Sequence, residues 1–261
     1  MTKDAKAVAR RAIGLIDLTE LGDKATDADV TDFCARAVGK YGTVAAVCVW
    51  PRHVAIAATS LKATGVRIAT VVNFPSGDDS IESVAALAQQ AMIDGADEID
   101  LVLPYRSLLS GDHARAEAMV AAVRRAVPSG DGKRLKVILE TGELQRPATI
   151  RTAAELAIRN GADFIKTSTG KTKVSATLAA TEIMLHAIRD LDPAVGLKPS
   201  GGIRTLDDAS EYLQQADRIM GPSWVSPATF RFGASGLLSA LEAAVSPTTA
   251  GKTLKAERAS Y

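Results

Sequence analysis

Short apolar runs recur along the chain about every 30 residues, which is the length of one strand and one helix in a βα unit. The runs are rich in Val, Ile and Leu and lack regular polar alternation, as is typical of strands that are buried on both faces of a parallel sheet. Eight strands are predicted, over residues 13–18, 44–49, 67–73, 98–103, 135–140, 163–167, 194–198 and, more weakly, 231–233.

The segments between these strands follow a helical period. After Asp78 and Asp79, apolar residues recur three or four positions apart until Gly95 ends the pattern. Thr177 and Thr205 precede two later helical patterns. Both are predicted N-caps, because a threonine hydroxyl can accept a hydrogen bond from a free backbone N–H in the first turn.

Two of the predicted units repeat each other in sequence. Each passes from a helix end through Gly-Ala-Asp into a strand, at residues 95–97 and 161–163, so that Asp100 and Lys166 occupy equivalent places. Eight strands that alternate with helices predict an α/β fold, a (β/α)8 TIM barrel, as a single domain over residues 1–261. Residues 1–11 are expected to form a short leading helix and residues 246–261 a flexible tail. A doubly wound open sheet is the alternative fold.

Composition narrows the class of protein. The chain has 261 residues, of which 47% are hydrophobic and 23% charged, as in globular proteins. Lys and Arg number 31 and Asp and Glu 30, so the net charge of +1 predicts binding to neither nucleic acid nor an anionic membrane. The longest apolar run, residues 44–50, is far shorter than the roughly 18 residues that a membrane-spanning helix needs. No secretory signal is evident, and a cytoplasmic protein is expected.

The residues that usually bind metals are few and scattered. Cys34 and Cys48 are the only cysteines, and His53, His113 and His186 stand far apart in the sequence. Neither set has the spacing of a zinc or iron site. No metal and no cofactor are therefore expected, with a magnesium ion held by carboxylates as the open alternative.

Charged residues interrupt four of the predicted strands near their carboxyl ends, where the active sites of such barrels lie. These residues are Asp17, Asp100, Lys166 and Lys198. A lysine inside a barrel is unfavourable unless it is paired or neutral. A buried Lys–Asp pair that only fixes strand register is one interpretation. The other interpretation is a reactive amine, because a neighbouring lysine and burial both lower the pKa of a lysine. One neutral amine could then attack a carbonyl to form a Schiff base while Asp100 moves protons.

Glycine-rich loops follow the seventh and eighth predicted strands. The first contains Gly201, Gly202 and Arg204, and the second contains Gly233 and Ser235. In many barrels these two loops bind phosphate, because glycine allows backbone N–H groups to approach the anion. Tight turns without a ligand are the alternative for either loop taken alone.

A third loop, Thr169-Gly170-Lys171, imitates the end of a nucleotide-binding P-loop. The first glycine of that motif would fall at position 165, which is Ile165, so a P-loop is excluded. The loop is interpreted as a further anion contact beside Lys166. Lys171 as a solvated surface charge is the alternative.

Eight motifs, in this order along nearly the whole chain, resemble the 2-deoxyribose-5-phosphate aldolase family of class I aldolases. The motifs are Ile16-Asp17-Leu18-Thr19, Ala46-Val47-Cys48-Val49-Trp50-Pro51, Val72-Asn73-Phe74-Pro75, Gly95-Ala96-Asp97-Glu98-Ile99-Asp100, Glu140-Thr141-Gly142-Glu143-Leu144, Phe164-Ile165-Lys166-Thr167-Ser168-Thr169-Gly170-Lys171, Lys198-Pro199 with Gly201-Gly202, and Arg231-Phe232-Gly233-Ala234-Ser235.

The resemblance implies a metal-independent lyase that reversibly cleaves 2-deoxy-D-ribose 5-phosphate to acetaldehyde and D-glyceraldehyde 3-phosphate, within deoxyribonucleoside and carbohydrate breakdown. Lys166 is implied as the Schiff-base lysine. Lys198 is implied as the second lysine, which lowers the pKa of the first, and Asp100 as the carboxylate that relays protons.

The resemblance also implies substrate contacts and a partner. Asp17 and Thr19 fall where the family lines the sugar pocket, and Cys48 falls near the site without an essential role. The implied phosphate positions are Gly170, Lys171, Gly201, Gly202, Gly233 and Ser235. Gly236 stands where some relatives carry a second serine, which puts phosphate affinity in doubt.

Tyr261 resembles a C-terminal tyrosine that assists proton transfer in part of the family, and a mobile tail is its alternative. Relatives are commonly dimers, so a homodimer is expected.

Two other functions remain open from the sequence. One is a Schiff-base aldolase that acts on a different phosphorylated sugar. The other is a phosphosugar-binding protein without catalytic turnover.

Overall fold

Eight parallel strands form a barrel in the computed structural model, which describes residues 3–130 and 132–246. Numbered along the barrel, they are β1 Ile16–Glu20, β2 Ala46–Val49, β3 Arg67–Val72, β4 Glu98–Val102, β5 Arg134–Ile138, β6 Phe164–Lys166, β7 Gly196–Lys198 and β8 Phe232–Ala234. A short hairpin, Val38–Gly39 with Gly42–Thr43, stands apart from the barrel.

Neighbouring strands pair in chain order from β1 to β7, and β8 pairs with β1. The remaining gap between β7 and β8 is bridged by the parallel partners Leu197–Phe230 and Ser200–Gly233. The sheet therefore closes on itself, which confirms the predicted (β/α)8 TIM barrel and contradicts the open doubly wound sheet.

Helices occupy the connections between the strands. They are α1 Lys3–Ile13, α2 Asp27–Ala35, α3 Val54–Ser60, α4 Ile81–Ile93, α5 Tyr105–Leu109, α6 His113–Ala126, α7 Thr141–Leu144, α8 Pro147–Arg159, α9 Leu178–Leu191, α10 Leu206–Met220 and α11 Leu237–Val245. A 3-10 turn, Pro51–His53, precedes α3. No helix in the described ranges is long and apolar enough to cross a membrane.

The helix starts follow local capping chemistry. The hydroxyl groups of Thr177 and Thr205 accept hydrogen bonds from Ala180 and Asp208 N–H, which confirms both predicted N-caps. Ser80, rather than Asp78 or Asp79, caps α4. The first predicted strand began too early, because helix α1 continues through Ile13 and β1 starts only at Ile16.

Strand alternation separates an apolar layer from a charged interior. On β4, Ile99 and Leu101 belong to the large apolar core, whereas Glu98 and Asp100 alternate with them and form ion pairs inside the barrel. The interior wall on β2 and β3 is apolar, with Cys48, Ala69 and Val71 in a small cluster of their own. The charged groups therefore meet in the barrel interior, next to this apolar cluster.

Candidate active site

Asp100 is the centre of the site. Its Oδ2 atom accepts hydrogen bonds from Lys166 Nζ at 2.8 Å and from Lys198 Nζ at 2.7 Å. Its Oδ1 atom accepts a third from Lys136 Nζ at 2.9 Å. Strand register makes this convergence possible, since Lys166 pairs with Lys198 across β6 and β7 and Asp100 pairs with Lys136 across β4 and β5. The three predicted catalytic residues, Asp100, Lys166 and Lys198, are in direct contact.

Lys166 is the member of this group that reaches a cavity. Lys166 is only 3% exposed, and it lines an opening of about 650 Å³ at the carboxyl ends of the strands. Burial lowers the pKa of the Lys166 amine, the Asp100 carboxylate opposes this effect, and the charge of Lys198 adds to it. The net shift is downward, so the geometry favours a nucleophilic amine at the cavity.

Lys198 and Asp100 are held in their charged forms. Burial alone would lower the pKa of Lys198, but Asp100 and Asp17, the latter 2.5 Å from its Nζ atom, raise it above its ordinary value. Burial alone would raise the pKa of Asp100, but Lys136, Lys166 and Lys198 hold it well below its usual range. The site therefore combines an amine with a lowered pKa, Lys166, with an ammonium group, Lys198, and a carboxylate, Asp100.

Three further charged residues that the sequence analysis did not select lie next to this group. Lys136 Nζ is 2.5 Å from Glu98 Oε2, and the Arg231 guanidinium donates to Glu98 Oε1 at 3.0 Å and to Asp17 Oδ1 at 2.6 Å. We call Glu98, Lys136 and Arg231 the lower ionic layer, because Glu98 and Arg231 line a different cavity at the amino ends of the strands. A signal was present in the sequence, since Lys136 interrupts the apolar run of β5 as Lys166 interrupts that of β6.

Asp17 and Cys48, both implied as substrate contacts, are fully buried and do not line the cavity. Asp17 lies beneath Lys198 and forms an ion pair with it and with Arg231, so the structure places Asp17 in the ionic network. Cys48 belongs to the apolar cluster of the interior wall, and burial raises the pKa of its thiol to about 11. Thr19 does line the cavity, and its hydroxyl donates to the backbone carbonyl of Asp17.

The loops after β1, β6, β7 and β8 form the rest of the cavity wall. The predicted contacts that line it are Thr19, Thr169, Gly170, Lys171, Gly201, Gly202, Arg204, Gly233 and Ser235, and Gly236 lines it as well. Helix α11 begins directly after Gly236, which lines the opening. An N-terminal helix end and two basic side chains give the cavity the character of an anion site.

Two of these glycines are required by space. Gly201 has a φ of +82°, and a Cβ atom there would lie 2.6 Å from Ser175 Oγ. A Cβ atom on Gly233 would lie 2.5 Å from Ser200 Oγ and 3.2 Å from Lys198 Cε. Strand β8 can therefore approach the second lysine closely only because residue 233 lacks a side chain.

Glu140 supports the loop that follows β6, a role that the sequence analysis did not assign. It adopts a left-handed conformation with φ of 58° just beyond β5. Its carboxylate accepts hydrogen bonds from the Thr169 N–H and hydroxyl groups and from the Thr172 hydroxyl. These contacts fix Thr169 and, through it, the position of Gly170 and Lys171 on the cavity wall.

Two further predictions concern the C-terminal tyrosine and metal binding. Tyr261 lies outside the described residues. In the described ranges, no group of three or more His, Cys, Asp or Glu side chains could hold a metal ion.

Comparisons with known proteins identify the family. A family model described as DeoC/LacD family aldolase matches residues 11–243. A deoxyribose-phosphate aldolase of Agrobacterium fabrum is 53% identical over 234 residues, which cover 89% of this chain and 90% of that protein.

Solved structures of similar proteins share the fold. The deoxyribose phosphate aldolase of Aeropyrum pernix matches with a TM-score of 0.72 and 25% identity, over 93% of this chain and 97% of that one. A Toxoplasma gondii protein, provisionally assigned as a deoxyribose-phosphate aldolase, matches with a TM-score of 0.84 and 26% identity, over 92% and 94% of the two chains. Because the family model spans most of the sequence, the chain belongs to the DeoC/LacD family of aldolases.

Proposed function

We propose that this protein is a class I aldolase that reversibly cleaves 2-deoxy-D-ribose 5-phosphate to D-glyceraldehyde 3-phosphate and acetaldehyde through a Schiff base on Lys166. One observation carries the proposal. The buried amine with a lowered pKa, Lys166, opens into the same cavity as the glycine-rich loops and the basic residues Lys171 and Arg204. A phosphorylated aldehyde matches both features, because its carbonyl needs a nucleophile and its phosphate needs an anion site.

In the first step, the lone pair of Lys166 Nζ attacks C1 of the open-chain sugar. The carbonyl oxygen takes a proton, and the new nitrogen cation gives one up, which yields a carbinolamine. The hydroxyl group of the carbinolamine then takes a second proton and leaves as water, which gives an iminium ion. Lys198 is suited to donate the proton to oxygen because it is held as an ammonium ion, and Asp100 is suited to accept the proton from nitrogen because it is held as a carboxylate.

The second step breaks the C2–C3 bond. Removal of the proton from the C3 hydroxyl lets its oxygen form a carbonyl, and the electron pair of the C2–C3 bond moves into the enamine. D-glyceraldehyde 3-phosphate is released. Protonation of the enamine at C2 and hydrolysis of the resulting iminium ion release acetaldehyde and regenerate the amine.

The cavity also explains why the substrate would carry a phosphate. Gly201, Gly202, Gly236, Lys171 and Arg204 all line the opening, and helix α11 begins directly after Gly236. Backbone N–H groups and basic side chains of this kind bind phosphate. Binding energy from this remote group would hold C1 at Lys166.

The proposal includes a compartment and partners. Cys34 and Cys48 are free and buried, which fits the reducing cytoplasm. The partners are the phosphosugar and aldehyde substrates, and the substrate places the reaction in deoxyribonucleoside breakdown. The homodimer expected from the family stays a prediction.

A substrate comparison tests the proposed function. The purified protein is incubated separately with 2-deoxyribose 5-phosphate, ribose 5-phosphate and unphosphorylated 2-deoxyribose, and acetaldehyde and D-glyceraldehyde 3-phosphate are measured. We expect the highest kcat/KM for 2-deoxyribose 5-phosphate, with both products in equal amounts. Preferred cleavage of another phosphosugar would indicate a different aldolase, and saturable binding without product would indicate a binding protein.

A further inference from the structure

The lower ionic layer has no contact with the cavity that the proposed substrate would occupy. Glu98, Lys136 and Arg231 are absent from the wall of that cavity, yet all three are at least 95% buried. A buried charge is costly, and nothing in the proposed reaction uses these groups directly. Their place beneath Asp100 and Asp17 points to an indirect role.

The charges of the interior do not balance when every group is ionised. The network contains four basic side chains, Lys136, Lys166, Lys198 and Arg231. It contains three acidic side chains, Asp17, Glu98 and Asp100. Full ionisation therefore leaves one surplus positive charge among side chains that are at least 95% buried, which is unfavourable. The balanced state has one uncharged base.

The contacts decide which base is uncharged. Lys136 has three carboxylate neighbours, at 2.5 Å, 2.9 Å and 3.5 Å, and both Lys198 and Arg231 have two. Lys166 has one, Asp100, and shares the same oxygen with Lys198. Lys166 therefore loses least when it gives up its proton, and it is also the base that adjoins the cavity.

We propose that Lys136 is a positioning residue of the aldolase: its permanent charge satisfies the carboxylates from below, so that Lys166 becomes the surplus base and stays uncharged. This inference rests on the proposed function. The directions of the individual shifts agree with it, because the pKa of Lys136 is raised by Asp100, Glu98 and Asp17 against the effect of burial, whereas that of Lys166 is lowered.

The groups that face these two lysines come from several strands. Lys166 faces Asp100 on β4, Lys198 on β7 and Cys48 on β2. Lys136 faces Asp17 on β1, Glu98 and Asp100 on β4, and Arg231 next to β8. Lys136 does not contact Lys166. Its removal should therefore alter the protonation of Lys166 only by changing the total charge of the network.

Charge counting gives opposite predictions for two single variants. Lys136→Met leaves three bases and three acids, so Lys166 can be protonated in a balanced interior, and the acid limb of the pH–kcat/KM profile should move up by about one pH unit or more. Glu98→Gln increases the surplus of bases, so the acid limb should stay in place or move down. The double variant restores a surplus of one base and should return the limb toward its wild-type position.

The experiment measures this limb for wild type, both single variants and the double variant, together with the rate at which acetaldehyde and borohydride label Lys166 at each pH. A return of the limb in the double variant would support the proposal, because a purely structural defect would add up instead. If Lys136→Met fails to fold, Arg231→Met removes one base from the same network and should shift the limb in the same direction.

Two outcomes separate the two levels of the argument. In the first, the acid limb of the pH profile stays in place in both Lys136→Met and Arg231→Met while Lys166 is still labelled in wild type. That result would overturn the positioning role of Lys136 and leave the aldolase assignment intact. Absence of labelling in wild type at every pH would overturn the proposed function itself.

Discussion

Lys166 and Lys198 are register partners on adjacent strands β6 and β7, and their amines bind the same oxygen of Asp100. Their environments nevertheless move their pKa values in opposite directions, because Lys198 has a second carboxylate, Asp17, and Lys166 does not. Two identical side chains are thus suited to different roles in the proposed reaction, a nucleophile and a proton donor.

Lys166→Arg should abolish cleavage, because arginine keeps a positive charge but cannot provide a neutral amine at Nζ. We expect kcat to fall by more than about 1,000-fold, the scale on which enzymes lose rate without their nucleophile. A stopped assay for acetaldehyde measures the loss, and a circular dichroism spectrum like that of wild type shows that the variant folds. Turnover near the wild-type rate would refute the role of Lys166.

Gly233→Ala should weaken both the fold and the reaction. The added Cβ atom would lie 2.5 Å from Ser200 Oγ and 3.2 Å from Lys198 Cε, so the loop or the lysine must move. We expect a loss of about 1–3 kcal/mol in the free energy of unfolding, as for other overpacked sites, and a lower kcat. The control is Gly14→Ala, whose nearest neighbour, Arg11 O, is 3.8 Å away. Equal urea midpoints for the two variants would contradict this account.

Lys171→Met and Arg204→Met should weaken binding of the phosphate specifically. Both side chains belong to residues that line the cavity, and a charge-assisted hydrogen bond contributes about 1.5–3 kcal/mol, equivalent to roughly 10–150-fold in KM. The KM for unphosphorylated 2-deoxyribose should change little. Lys173→Met is the control, because Lys173 is exposed on the same loop but does not line the cavity. A KM that rises equally for both sugars would argue against a phosphate contact.

The two cysteines should resist alkylation in the folded protein. Burial raises the pKa of both Cys34 and Cys48 from 9.0 to about 11, so the thiolate fraction near neutral pH is about 100-fold smaller than for an ordinary thiol. Iodoacetamide followed by peptide mass analysis should find little label at pH 7.5, more label as the pH approaches 11, and complete label in urea. Rapid labelling of Cys48 at pH 7.5 would contradict its placement on the interior wall.

The main features of the fold could be read from local patterns. Apolar runs at regular spacing predicted all eight strands, and threonine caps located the starts of α9 and α10. Asp100, Lys166 and Lys198 could be selected because a charge inside an apolar strand is unfavourable without a partner. The hairpin at residues 38–43 and the short helices α5 and α7 carry too few residues for a periodic signal, and they were not predicted.

The lower ionic layer could not be placed from the sequence. Lys136 lies in the middle of β5 and Glu98 begins β4, whereas an active site is expected at the carboxyl ends of the strands. Arg231 precedes a loop that borders the cavity, but its side chain turns the other way and pairs with Glu98. The depth of a side chain in the barrel depends on the stagger between strands, which a single sequence does not encode. For the same reason, the sequence could not show that Asp17 lies below the cavity wall.

Reductive trapping tests the central claim most directly. The protein is incubated with acetaldehyde and sodium borohydride at neutral pH, digested and mapped by peptide mass. We predict one ethyl group on Lys166, a much slower overall reaction after Lys166→Arg, and the same ethyl group on Lys166 when 2-deoxyribose 5-phosphate replaces acetaldehyde. Labelling of Lys198 or of surface lysines instead, or no labelling at all, would contradict an uncharged and nucleophilic Lys166.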